Sequence, residues 1–228
     1  MNILIFDTET SGLLPKGKLL VNENLHLFPH TVQFSWIIFD QQQNKIIKIQ
    51  DYIIKLPNNF QLSEESIKIH GITNEISQMK GVDINIVIDE FIVDFQKANL
   101  VVAHNINFDL KIIRADIMRL ITSCENNLLS KYKKFINELK NSTKLYCTME
   151  ESIDLCNIKI KNASGVEYKK FPKLVELHDK LFQTRPNNLH NSLNDVLVCL
   201  RCFYKMTNDK DILELNNEFN NLFQKLFT

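Results

Sequence analysis

Residues 2–12, NILIFDTETSG, pass from an apolar run into two acids one residue apart, Asp7 and Glu9. Side chains on a strand alternate between faces, so Ile3, Ile5, Asp7 and Glu9 share one side. Leu4, Phe6 and Thr8 line the other. A strand that is apolar on both sides belongs in the middle of a sheet covered by helices. At about 3.3 Å per residue the two carboxylates stand roughly 6 to 7 Å apart along the strand. Like charges at about 4 Å repel by about 4 kcal/mol at an effective dielectric near 20. Acids crowded at the end of a buried strand therefore call for a cation between them. The plainer alternative is a strand end at the surface that turns at Gly12.

The chain has 228 residues, a length that suits one fairly large domain. Lys+Arg and Asp+Glu balance at 27 each, so no global charge favours nucleic acid, and any such binding must rest on local patches. The five cysteines are an odd number. With the first strand starting at residue 2, no leader or transit peptide is expected, and the thiols read as free in a reducing compartment, the cytoplasm. Cys199 and Cys202 form a lone Cys-x-x-Cys within DVLVCLRCFYKM, which reads as a buried helix face rather than a zinc site. No apolar stretch is long enough to span a membrane.

Outward from the first strand, VQFSWIIFD (32–40) and KIIKIQDYIIK (45–55) read as an antiparallel hairpin across QQQN. Ser63, followed by Glu64 and Glu65, caps a short helix that Gly71 ends. Residues 83–97 carry Ile84, Val87, Ile88, Phe91, Ile92 and Phe95 at helical spacing. LVVAH (100–104) is a short buried strand, and a helix begins at Asn107 or Asp109. Residues 122–142 read as a polar helical insertion with a basic cluster at Lys131, Lys133 and Lys134. Residues 144–149 form the fifth strand, 157–171 a mobile Gly- and Lys-containing loop, and Pro172 the first turn of a helix to Phe182. Helices over 192–206 and 211–227 follow. The order implies an α/β fold: a mixed five-stranded sheet with helices on both faces.

Two more segments carry acids in telling places. In AHNINFDLKIIRAD, Asp109 falls in the first turn of a helix, beside the carboxyl end of a buried strand, where functional groups gather in open α/β sheets. Alone, it reads as a helix cap. In HNSLNDVLVCLRCFYKM, Asp195 lies five residues after His190. On one helix that spacing separates them by about 140°, which argues against joint ligation of one ion. His190 then sits at the entrance, with Asp195 one turn inside.

FDTETSG, the NINFD after Ala103-His104, and His190-x4-Asp195 together resemble the three motifs of the DEDDh exonuclease family, the group that contains the proofreading epsilon-type subunits of replicative DNA polymerases. FPHTVQFSW, SIKIHGIT and FPKLVELHDKLF support the resemblance, which runs over residues 2–206. It implies a ribonuclease-H-like fold, with an exonuclease domain over 1–206 and a C-terminal helix, 207–228, packed on it. It implies catalytic positions at Asp7, Glu9, Asp109, His190 and Asp195, and two divalent ions, normally Mg²⁺ with Mn²⁺ as substitute. Asp7 would bridge both ions, Glu9 and Asp195 would hold the one near the nucleophile, and Asp109 would support the second. Carboxylates suit such hard ions. His190 would act as general base.

For the substrate, the resemblance brings Thr10 and the backbone near Gly12 to the 3′-terminal nucleotide and makes Leu13 an apolar wedge. Asn105 orients the turn after the fourth strand or contacts substrate, and Phe108 reads as core. Lys131, Lys133, Lys134, Lys169, Lys170 and Lys173 are candidates for backbone phosphates, although an exposed charge run is by default solvated surface. The expected activity is 3′→5′ removal of nucleotides from DNA ends, with a DNA polymerase as candidate partner. An RNA-trimming enzyme and a non-catalytic nucleic-acid-binding or polymerase-docking module are the alternatives.

Overall fold

The structure, a computed structural model, describes residues 1–123 and 126–227. Its centre is a five-stranded sheet in the order β3-β2-β1-β4-β5. The strands are β1 (Asn2–Thr10), β2 (Thr31–Asp40), β3 (Lys45–Ile53), β4 (Leu100–Ala103) and β5 (Leu145–Cys147). β2 pairs antiparallel with both β1 and β3, while β1, β4 and β5 are parallel. One antiparallel strand in a mixed sheet is the arrangement expected from the sequence.

The alternation in β1 works as the pattern requires. Leu4 and Phe6 enter one apolar layer with Phe34, Trp36 and Ile38 of β2. Helix α3 (Ile84–Lys97) covers this face through Val87, Ile88, Phe91 and Phe95, joined by α4 (Ile106–Ser123) and α5 (Asn126–Asn141). Ile3 and Ile5 enter the opposite layer with Ile37 and Phe39. There they meet Leu177 of α8 (Leu174–Phe182) and the buried face of α9 (Ser192–Asn208). Cys199 and Cys202 lie inside that face, as their surroundings implied. Ile212, Phe219 and Phe223 from the last helices join the same layer.

Helix α1 (Glu64–His70) starts where expected, with the Ser63 side chain accepting from the Ser66 N–H and Gly71 closing it at φ +75°. A second short helix, α2 (Asn74–Lys80), follows at once, capped by Thr73.

Elsewhere the structure departs from the expectation. The 122–142 segment is helical, but α5 is not a polar appendage: Tyr132, Phe135 and Leu139, at spacings of three and four, are buried in the α3 layer. After β5 come two single turns, α6 (Thr148–Glu151) and α7 (Ile153–Cys156). Residues expected as a mobile loop form a small hairpin, β6 (Lys159–Lys161) with β7 (Glu167–Lys169). Pro172 stands before the helix, not in its first turn, because Lys173 is the cap. The expected helix 211–227 is broken into α10 (Ile212–Leu215) and α11 (Asn217–Phe227). The break is at Asn216, whose side chain donates to the Asn44 carbonyl (2.6 Å) and accepts from the Phe219 N–H (2.8 Å).

Phe91 ties the α3 layer together. Its ring stands 5.4 Å from Phe6, 4.7 Å from Phe34 and 5.5 Å from Trp36, centroid to centroid. Phe91→Ala is expected to lower the unfolding free energy by about 3 to 5 kcal/mol, measured by urea denaturation. A loss under about 1 kcal/mol would show that the layer does not depend on this ring.

Candidate active site and metal centre

β1 is longer than its parallel neighbour. Pairing with β4 runs from Ile3↔Leu100 to Ile5↔Val102, so the Asp7–Thr10 end projects past that strand. Helix α4 fills the gap. The backbone N–H of Thr8, left without a β4 partner, donates to Asp109 Oδ1 at 3.1 Å, and the Thr8 hydroxyl donates to the same oxygen at 2.7 Å. Asp109 is thereby fixed and buried, at 2% exposure. The turn that delivers it runs through Asn105, at φ +70°, whose carbonyl accepts from the Phe108 N–H (2.8 Å). This gives Asn105 a backbone role in the turn. Asn and Asp visit that region more readily than most residues.

On the β2 side, Asp7 faces Ser35 and Glu9 faces Gln33, after which the register slips by one residue before Thr10. Gln33 and Ser35 are buried and both donate to Asp51 Oδ1 at 2.7 Å. They also receive the start of α9: the Ser192 N–H donates to Gln33 Oε1 (3.2 Å), and the Ser35 and Ser192 hydroxyls bond each other. The Asn191 side chain caps the helix. Asp195, in the first turn of α9, is brought to Glu9 by this docking. Thr8, Gln33, Ser35 and Ser192 were not singled out from sequence. The signal was present in VQFSW, where two polar residues alternate within an apolar strand.

His190 corrects the helical reading. It lies outside α9, in a left-handed backbone conformation at φ +71°, and its N–H donates to Asp195 Oδ2 at 3.2 Å. A helical-wheel angle does not apply to a residue folded back in this way. One nitrogen of its exposed ring, one oxygen of Glu9 and one of Asp195 lie within 4.8 Å of one another. Asp7 and Asp109 are outside that tight group but close enough for their charges to be felt.

The crowding shows in the acidities. Burial, then the charges of Asp109, Asp195 and Glu9, push Asp7 well above the usual carboxylate range. Burial raises Glu9 to about 7. Burial and the Glu9 charge raise Asp195 to about 8, against the opposing His190 N–H bond. Asp109 rises to about 7 through burial, in spite of the two Thr8 donors that favour its charged form. Asp195 Oδ1 is buried without a hydrogen-bond partner. A buried, unpartnered carboxylate oxygen among other acids fits a divalent cation. Glu9 and Asp195 would hold it, with His190 beside them. An all-oxygen set of acids suits Mg²⁺ or Mn²⁺.

The remaining positions are more peripheral. The Thr10 hydroxyl donates to the Gly12 carbonyl (2.7 Å), closing the turn after β1. A Cβ on Gly12 would meet nothing within 4 Å, so the fold itself leaves that space open. Leu13 is 86% exposed. Phe108, expected in the core, is half-buried and lines an open cleft. Of the lysines considered for phosphates, Lys131, Lys169 and Lys170 are paired with Asp89, Asp154 and Glu176. Among the described residues no helix is long and apolar enough to cross a membrane.

Residues 4–203 match the family described as RNase_T, Exonuclease. No curated protein matches the sequence significantly. Among solved structures, Escherichia coli exonuclease I in complex with a dT13 oligonucleotide aligns at a TM-score of 0.61 and 17% identity, over 97% of this chain and 43% of that one. Exonuclease I from Methylocaldum szegediense aligns at 0.59 and 16%, over 94% and 43%. The likeness is one of fold, and the chain spans less than half the length of these relatives.

Raised carboxyl pKa values make the metal-free site destabilising as pH rises. A folded pKa of about 8 for Asp195 means that the folded state binds more protons than the unfolded one between about pH 4 and 8. Stability contributed there falls as pH rises through that window. With EDTA present, Asp195→Asn is expected to raise the melting temperature at pH 8 by on the order of 3 °C, the shift of about 1 kcal/mol in a chain of this length. At pH 5 the gain shrinks. Adding Mg²⁺ at pH 8 should stabilise the wild type and not the variant, measured by calorimetry. A variant less stable than wild type at pH 8 in EDTA would overturn this account of the crowded acids.

Proposed function

The chain belongs to the RNase_T exonuclease family, and on that premise we propose that it is a metal-dependent 3′→5′ exonuclease of the His subclass, releasing nucleoside 5′-monophosphates from DNA ends. The observation that carries this reading is the meeting of Glu9, His190 and Asp195 at the end of β1, with ligand atoms within 4.8 Å of one another. Escherichia coli exonuclease I is seen with dT13 and dA16 oligonucleotides, which supports a polynucleotide substrate and favours DNA over RNA.

Two divalent ions, Mg²⁺ or Mn²⁺, supply charge neutralisation at the scissile phosphate and a more acidic water. Glu9, Asp195 and Asp7 would hold one, and Asp7 and Asp109 the other. The chain's own groups do the rest. His190, exposed at the mouth of the site, accepts the proton of the attacking water. Its backbone bond to Asp195 keeps the ring over the acids. Water adds to phosphorus, the bond to the leaving 3′ oxygen breaks, and that oxygen takes a proton from solvent, so the shortened strand ends in a 3′ hydroxyl. The open space at Gly12 admits the terminal nucleotide, and Leu13, with no packing role in the fold, bears on its base.

The test uses single strands labelled at the 3′ or the 5′ end, in DNA and RNA form. With Mg²⁺, the 3′-labelled DNA is expected to give labelled mononucleotide in the first turnover, and the 5′-labelled DNA a ladder that shortens with time. RNA should be cut more slowly. Asp7→Ala and Asp195→Ala should reduce release to background while circular dichroism stays native. His190→Ala should slow it by about 10² to 10⁴-fold, the usual worth of a general base. Undiminished release by both Asp variants would refute the site assignment.

A further inference from the structure

A cleft of about 580 Å³ is lined by Asn105 and Phe108, from the turn and helix start that deliver Asp109, together with Leu14, Lys111, Arg114 and Lys140. Phe108, Lys111 and Arg114 recur at intervals of three on α4, so they share its outer face, while Ile112, Ile113 and Ile117 turn inward to the core. From Phe108 to Arg114 is about 9 Å along the helix axis.

The lining is unusual for this molecule. The chain carries no net charge, and clefts elsewhere include acids, such as Asp94 in one, Asp89 and Glu90 in another, and Glu176 and Asp179 in a third. No acid lines the cleft beside α4. Other lysines are in part neutralised by partners, as Lys131 is by Asp89 at 2.8 Å. Among the described residues Lys111, Arg114 and Lys140 form no ion pair, and Arg114 Nε is buried without a hydrogen-bond partner. With Nε inside the fold and no acid paired to it, the positive charge of Arg114 is left to the cleft that the residue lines.

We propose that this cleft binds the backbone of a single-stranded polynucleotide on the 5′ side of the scissile nucleotide, with Lys111, Arg114 and Lys140 contacting its phosphates. The proposal rests on the exonuclease reading. A strand whose 3′ end is fixed at Asp7 and Glu9 must leave the site along some surface, and the cleft at Phe108 begins one residue from Asp109. It would raise affinity for strands of several nucleotides over dinucleotides, in a chain whose total charge offers no general attraction.

Binding is measured apart from hydrolysis, by fluorescence anisotropy of a 5′-labelled dT10 in EDTA. The Lys111→Ala/Arg114→Ala double variant is expected to weaken binding about tenfold or more. Its slope of log affinity against log salt should fall in magnitude by about 1.4, or about 0.7 for each phosphate contact to a single strand. Lys133→Ala/Lys134→Ala, which removes the same charge from an exposed part of α5, should change the affinity much less. Arg114→Lys should recover part of the loss. An unchanged slope and affinity in the first variant, or an equal loss in the second, overturns the cleft as the binding track. Hydrolysis of a 3′-labelled strand with Mg²⁺ is read in parallel. A wild-type chain that binds through the cleft without cutting overturns the exonuclease reading alone. One that cuts but is indifferent to Lys111 and Arg114 overturns the cleft alone.

Discussion

Everything in this molecule is arranged around acids held where water is scarce. β1 lies between β2 and β4 with both faces covered, so of the carboxylates at its end Glu9 is buried and Asp7 half-buried. Asp7, Glu9, Asp109 and Asp195 all resist ionisation as a result. A protein gains nothing in stability from such a cluster, and burying charge without a partner is strongly unfavourable. The two apolar layers, with Phe91 at the centre of one and α9 at the centre of the other, must outweigh it. The site and the core are therefore one design, since a looser sheet would let water in and the acids would lose their demand for a cation.

The acids that come from elsewhere are delivered by two unlike anchors. Asp109 is locked by two donors from Thr8 on the same oxygen, so that oxygen is largely committed to the fold. Asp195 is located indirectly, through Ser192 on Gln33 and Ser35, and keeps a buried oxygen free. The difference sorts the ligands physically. In the proposed reading Asp195, with Glu9, would hold an ion directly, and Asp109 would hold one through its remaining oxygen or a water. Both anchors end on β1 or its neighbour β2, so a shift of the central strand would move every acid together.

Much of this was legible in the sequence. The period-two pattern of NILIFDTE gave the buried strand and the common face of Asp7 and Glu9, and helical spacing gave α3 with its buried residues. Charged and apolar residues at fixed intervals carry that information locally. What depends on tertiary contact was not legible. The burial of Tyr132, Phe135 and Leu139 needed the α3 layer to exist first. The β6–β7 hairpin is three residues a side and exposed, too short for its pattern to declare itself. His190 stands at the entrance of α9 as the sequence suggests, but the 140° separation from Asp195 holds only along a helix, and the Asn191 cap leaves His190 in a left-handed turn that brings the two together. Phe108 reads as core on its hydrophobicity, but it lies on the outward face of a helix whose inward face is already full.

The loop after β1 follows the same logic of fixed ends and an exposed middle. The Ser11 N–H donates to the His30 carbonyl, and the His30 N–H to the Ser11 hydroxyl, both at 2.9 Å. Farther along, Arg119 donates to the carbonyls of Leu25, Phe28 and Pro29. Its charge is balanced by Asp116 at 2.6 Å, which also accepts from Thr31 where β2 begins. Between these ties the middle of the loop is left to solvent, and Leu13 is 86% exposed. In the proposed reading the face of a base would cover it and remove that apolar surface from water. In that reading a nucleotide bound with its metal ions would both cover the exposed leucine and bring the cation that the crowded carboxylates call for.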